Sequence, residues 1–259
     1  MLTQEQLQTF DRDGFVIVRE LFTTEEVSLG ERIGRADQAL KKAGAKKDAQ
    51  GGTSKIWLDS KQREDIYNAF AHSPRIVSAT EQILGGPVYL WHYKMMMKEP
   101  RVGGAWEWHQ DYGYWYFDGC LFPRLLSCMI GINRATKANG CLQVLRASHK
   151  LERITHGTTG EQIGADMERV TAAMQQLELV HVELEPGDAL FFHCNLLHCS
   201  AQNHSDHPRW AFICCYNAMN NIPYKAVGHG APIKLNTWPD ESILTIGRPQ
   251  LAAMATAAV

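Results

Sequence analysis

The sequence predicts a mainly β chain of α+β composition, with short strands forming a sandwich or barrel behind a helical N-terminal flank. Three observations carry this reading. Residues 1–86 hold most of the helix signals, and after residue 86 the apolar pattern changes from a helical to a strand-like period. The strands that follow are separated by turn signals, among them Lys137-Ala138-Asn139-Gly140 and Glu185-Pro186-Gly187-Asp188. Finally, 259 residues with 45% apolar and 21% charged content can bury a sizeable core, which excludes a disordered or coiled-coil protein.

Thr3 with Gln6 and Thr23 with Glu26 match the capping box that satisfies free N–H groups at a helix start. Between those helices, Gly14-Phe15-Val16-Ile17-Val18 reads as a strand. The polar, glycine-rich stretch 44–54 reads as a mobile surface loop. A further helix is expected from Pro74 to Leu84, stopped by Gly85-Gly86. The strand Val88–Lys98 is ended by Pro100. More strands are expected at Ala105–His109, Leu126–Asn133, Gly140–Leu145, Leu179–Leu184, Ala189–Phe192 and Trp210–Asn217. One helix, Ala165–Leu177, interrupts them within the insert 150–178. With neither internal repeat nor linker, residues 1–259 read as one domain: a mostly helical flank (1–86), a β core (87–217) and a C-terminal tail (218–259).

Twenty-six basic and 28 acidic residues give a net charge of −2, so no overall positive field holds nucleic acid or an anionic membrane. No apolar run approaches the roughly 18 residues of a membrane helix. The start, MLTQEQLQTFDRD, lacks the order of a secretory signal, and the end, ATAAV, is no lipidation box, so a cytoplasmic location is expected. None of the seven cysteines forms a C-x-x-C pair, which points to reduced, buried thiols.

The chemistry concentrates in two segments. In Trp108-His109-Gln110-Asp111, an extended strand would aim His109 and Asp111 at one point, because residues i and i+2 share a face. In the run Gly187–Ser200, a turn and an apolar strand lead to Leu196-Leu197-His198-Cys199-Ser200. Arg209, eleven residues past His198, opens another apolar strand. A buried arginine requires an anion, and its planar fork suits a carboxylate. Two histidines and one carboxylate form a facial triad, the ligand set of non-heme Fe(II) oxygenases. His193 competes with His198, but the spacing to Arg209 favours His198.

The order H-x-D, G-D-x-L-x-F-H, L-L-H-x-S and then arginine resembles the phytanoyl-CoA dioxygenase-like family, related to the ectoine hydroxylases. Asp13-Gly14-Phe15-Val16, Asn139-Gly140-Cys141-Leu142 and Ser148-His149 match as well. The resemblance implies a double-stranded β-helix core, jelly-roll or cupin-like, with Fe(II), 2-oxoglutarate and O₂ as cofactor and co-substrates. It makes His109, Asp111 and His198 the iron ligands. It places Arg209, Ser200, Lys94 and Ser127 at 2-oxoglutarate, and Trp115 at the substrate, with His92 and Tyr112 as further substrate contacts. The expected reaction is hydroxylation of a C–H bond with release of succinate and CO₂. The alternative is a non-oxygenase metal-binding β-barrel, either a zinc-dependent hydrolase or a metal-binding module.

The substrate is expected to be small and polar. The strand face His92, Lys94, Met96 and Lys98 sets cations beside the aromatic run 106–117, which suits an amino-acid derivative, an ectoine-like zwitterion or an aminophosphonate. An acyl-CoA would need a basic patch that the sequence lacks. Met95-Met96-Met97 reads as strand filling.

Overall fold

A computed structural model describes residues 1–48, 50–159, 161–226 and 228–256. The flank begins with helix α1 (Gln4–Asp13), strand β1 (Phe15–Val18) and helices α2 (Thr24–Ala36) and α3 (Gln38–Lys41). Both predicted capping boxes form, at Thr3 and at Thr23. Gly14 turns the chain from α1 into β1 at φ 83°, a left-handed conformation open to glycine.

Strands β2 (Gly44–Lys47) and β3 (Thr53–Asp59) follow, then α4 (Ile66–Ala71), α5 (Pro74–Leu84), β4 (Val88–Lys98), β5 (Trp106–His109) and the short helix α6 (Asp111–Trp115). The remaining elements are β6 (Leu125–Gly131), β7 (Leu142–Leu145), β8 (His156–Thr159), β9 (Gln162–Ala165), α7 (Met167–Met174), β10 (Leu179–Val182), β11 (Ala189–His193), β12 (His198–Ser200), β13 (Arg209–Ala218) and α8 (Ser242–Thr256).

Seven strands form one antiparallel sheet in the order β1-β11-β6-β13-β4-β3-β2, and four form a second in the order β10-β7-β12-β5. The period-2 alternation of the central strands divides the core into two layers. Leu190, Phe192, Met96, Met129 and Ile213 point between the sheets, where they meet Leu142, Val144 and Val182. Phe191, Met95, Met97, Ile130 and Phe212 point outward onto Val27, Ile33, Phe70 and Ile76 of the flanking helices. The methionine run is therefore strand filling, split between two layers. All seven cysteines are buried and free.

Three expectations are corrected. Residues 44–54 are not a plain loop but hold most of the β2–β3 hairpin, with β3 paired to β4. Composition hid this because β2 is an exposed edge strand and the turn is organised by one side chain. The Asp48 carboxylate accepts from the backbone N–H groups of Gln50, Gly52 and Ala105. The helix expected at 165–177 is shorter, and the hairpin β8–β9 precedes it. The tail is also structured at its end, since α8 buries Ile243 and lays Leu244, Ile246 and Leu251 against the outer core layer.

Candidate active site

The site lies where β5 and β12 meet. These strands pair antiparallel with His109 directly opposite His198, bringing the two ring centroids to 4.0 Å. Asp111 does not continue the strand as expected. β5 ends at His109, and Asp111 is the first residue of α6. The intervening Gln110 forces this turn. Its amide donates to the carbonyls of Glu152 and Asn195 and accepts from the Ile154 N–H, while its own N–H donates to His156 Nε2. Neither Gln110 nor His156 stood out in the sequence, because both act through partners distant in the chain.

The protonation pattern suits a metal. The Nδ1 atoms of His109 and His198 lie 2.7 and 2.8 Å from the carbonyls of Glu107 and Leu196. A carbonyl only accepts, so each Nδ1 carries the hydrogen and each Nε2 keeps its lone pair. Burial pushes both imidazoles below their ordinary pKa, which keeps them neutral. Burial alone would raise the Asp111 carboxyl, but the Lys94 ammonium and the Ser127 hydroxyl hold it well below the carboxylate range. Donor atoms from His109, Asp111 and His198 all lie within 4.8 Å of one another. Neutral imidazole and carboxylate, two to one, fit the facial ligand set of Fe(II).

Lys94 Nζ lies 3.6 Å from Asp111 Oδ1. Ser127 Oγ donates to Asp111 Oδ2 at 2.7 Å. Ser127 therefore stands behind the carboxylate and orients Asp111.

Beside these groups lies a narrow cavity. Lys94, His109, His198, Ser200 and Arg209 line its polar part, and Ile56, Met96, Trp106, Met129, Leu142, Phe192 and Ile213 its apolar part. Arg209 is 2% exposed, and its Nε and Nη2 have no hydrogen-bond partner among the described residues. Burial lowers its pKa to about 10. A buried guanidinium without a protein partner, opening on a cavity, requires an anionic ligand. This fits 2-oxoglutarate.

The expected substrate residues divide. His92 and Trp115 touch, with ring centroids 5.8 Å apart, and His92 Nδ1 lies 3.3 Å from His229 Nδ1. Tyr112 turns away. Its hydroxyl donates to the Cys120 carbonyl and its ring packs in the inner core layer. His193, the rival ligand, packs instead against Phe10 and His149.

Two facing antiparallel sheets with a His-Asp-His cluster beside an anion-demanding cavity define a cupin-like, metal-dependent oxygenase. Residues 10–211 match the family model described as phytanoyl-CoA dioxygenase (PhyH). The chain belongs to this family. It is an Fe(II)- and 2-oxoglutarate-dependent dioxygenase that uses O₂.

The ectoine dioxygenase of Bordetella parapertussis is 28% identical over 236 residues, covering 85% of this chain and 77% of its own length. The L-proline trans-4-hydroxylase of Streptomyces griseoviridis is 30% identical over 178 residues, 62% of this chain and 66% of its own length. The crystal structure of EctD from S. alaskensis with 2-oxoglutarate and 5-hydroxyectoine superposes with a TM-score of 0.73 at 23% identity, over 92% of this chain and 87% of that one. Among the described residues, no helix is long and apolar enough to cross a membrane.

Proposed function

We propose that His109, Asp111 and His198 hold Fe(II), that Arg209 and Ser200 grip the distal carboxylate of 2-oxoglutarate, and that the chain hydroxylates a C–H bond of a small, charged metabolite. The substrate class is an amino-acid derivative, a cyclic zwitterion of the ectoine kind or an aminophosphonate. The observation that carries this reading is the orphaned Arg209 guanidinium, which a hydrolytic zinc site would have no reason to bury.

When bound, the iron and 2-oxoglutarate supply oxygen activation coupled to decarboxylation, which yields succinate and CO₂. The chain supplies the placement. Carbonyls of Glu107 and Leu196 fix both imidazole tautomers, so the Nε2 lone pairs converge without reorganisation. Ser127 holds one Asp111 oxygen and leaves the other facing the donor cluster and Lys94. Lys94 adds a second cation to the cavity beside Arg209, which suits ligands carrying carboxylates. Met96, Met129, Phe192 and Ile213 wall the cavity with apolar surface and exclude water.

For the substrate, Lys94, His92 and Trp115 place a cation, an imidazole and an aromatic wall along one strand face and its neighbour. This suits a compact charged molecule better than a lipid chain. Succinate release is the test, measured across amino acids, betaines, ectoine-type zwitterions, aminophosphonates and acyl-CoAs. Coupled turnover should appear within the small charged set. Coupled turnover of an acyl-CoA alone would overturn the substrate class.

A further inference from the structure

Outside the cavity, large exposed hydrophobic side chains gather in two segments: residues 116–124, which follow α6, and residues 219–225, which follow β13. They are Tyr116, Phe117, Leu121, Phe122, Ile222 and Tyr224, between 41 and 68% exposed. Hydrogen bonds join the two segments. The Tyr224 N–H donates to the Gly119 carbonyl, and the Asn221 side chain accepts from the Phe122 N–H and donates to its carbonyl. Asn221 is itself buried and tied to Asn217 through both its side chain and its carbonyl. The apolar surface is therefore fixed before any partner arrives, which lowers the cost of covering it.

An aromatic side chain presents roughly 200 Å², so the four rings alone leave about 400 Å² in water. Leu121 and Ile222 extend this to the top of the roughly 300–600 Å² that the largest patch on an ordinary monomer covers. A stable interface takes about 800 Å² from each partner, with aromatic anchors at its centre and a polar rim. That rim is present: Arg153 lies over the Tyr116 ring, Arg124 over Phe122 and Lys225 over Tyr224. Charge then selects the occupant. Asp118 lies within the first segment and Glu152 precedes Arg153, so the patch carries both signs. An anionic membrane or an acidic protein would meet those carboxylates as well as the cations. In a two-fold interface each residue meets a different residue twice, which lets cations of one copy face carboxylates of the other. We propose that this patch is the interface of a two-fold dimer, occupied by the same patch of a second copy of the chain. The segments have an inner side too. Trp115 packs on His92, and Asp118 Oδ2 lies 3.1 Å from Nε2 of His229, whose ring packs on Trp91. The second copy thus braces this wall from outside.

Sedimentation velocity of the full chain, run across the micromolar range, tests this. The wild type should sediment as a dimer and dissociate on dilution. Phe117→Asp and Tyr224→Asp each set a charge among the rings. Each should raise the dimer dissociation constant by roughly thirtyfold or more, the effect of losing one aromatic anchor. Val102→Asp, at an exposed position beyond the far end of β4, should leave the constant unchanged. Thermal melting of every variant checks that it folds. Should Phe117→Asp not fold, Tyr224→Asp carries the comparison, because Tyr224 is the most exposed residue of the patch.

A wild type that stays monomeric at every concentration overturns the proposal, as does a dimer that the folded patch variants leave intact. Equal weakening by Val102→Asp overturns it too, since the loss would then come from added charge anywhere on the surface. A monomer that floats with vesicles of phosphatidylcholine and phosphatidylserine, and no longer does so as Phe117→Asp, would give the patch to a lipid surface instead. The measurement needs no turnover, so its failure is distinct from a failure of the proposed chemistry.

Discussion

Replacing Arg209 with methionine should move stability and binding in opposite directions. The guanidinium is 2% exposed and lacks a partner on Nε and Nη2. Its burial lowers the pKa from the ordinary arginine value to about 10. At about 1.4 kcal/mol for each tenfold, that displacement represents about 3 kcal/mol carried by the ligand-free protein. Methionine fills similar space without the charge, and such replacements of buried ions stabilise by roughly 1–4 kcal/mol. For a chain of this size, the melting midpoint of the ligand-free protein should rise by roughly 2–16 °C.

The wild type, in contrast, should gain about 2.7 kcal/mol from 2-oxoglutarate at a hundredfold excess over its dissociation constant, and the variant nothing. Scanning calorimetry of both proteins, with anaerobic Fe(II) and with and without 2-oxoglutarate, reads both effects. A variant that melts lower than the wild type and still responds to 2-oxoglutarate would refute the reasoning, because Arg209 would then be a satisfied structural cation.

Asp111→Ala should abolish succinate release and reduce bound iron in parallel, as seen by metal analysis of the purified protein; near-normal turnover would remove Asp111 from the ligand set. Gly113→Ala should displace α6, since a Cβ there would lie 2.3 Å from the His156 ring, which fixes Gln110. A loss of about 1–3 kcal/mol by urea unfolding, with weakened Fe(II) binding, is expected, and an unchanged variant would contradict this packing. On the acid side, burial and then His149 lower the His193 pKa to about 4, so the unfolded chain binds the extra proton first. That contribution is complete above the ordinary value of about 6.5 and is lost as pH falls toward 4, by about 3 kcal/mol. His72 and His149 are shifted the same way by burial and add to the trend. Urea midpoints that stay flat between pH 7 and 4.5 would count against it.

The parts of the site carried by local spacing were legible in the sequence. His109 and Arg209 border apolar strand segments and His198 follows the Leu196-Leu197 pair, so their neighbourhoods followed from local motif spacing. Asp111 was assigned to the right neighbourhood and the wrong element, because Gln110 is turned by Glu152, Ile154 and Asn195, none of which is near in sequence. The β2–β3 hairpin was hidden because an edge strand of exposed lysines has no apolar period. Lys98 was read only as one of the cations on the His92–Lys98 strand face. Its burial follows only from pairing β4 with β13, which sets it opposite Arg209. Ser127 was noticed, but its bond to Asp111 was not, for the same non-local reason.

The pairing of His109 with His198 across β5 and β12 also bears on when the protein acquires its metal. The three donors do not exist as a set until the chain has closed a loop of about ninety residues, and that closure carries an entropic cost that local elements cannot offset alone. A growing chain that has emerged only as far as Asp111 offers two donors at the end of a strand that still lacks β12. On the proposed ligand set, the complete donor cluster exists only once β5 and β12 have paired, so full iron affinity arrives together with the closed sheet. A truncated or misassembled chain would offer the metal two donors at most.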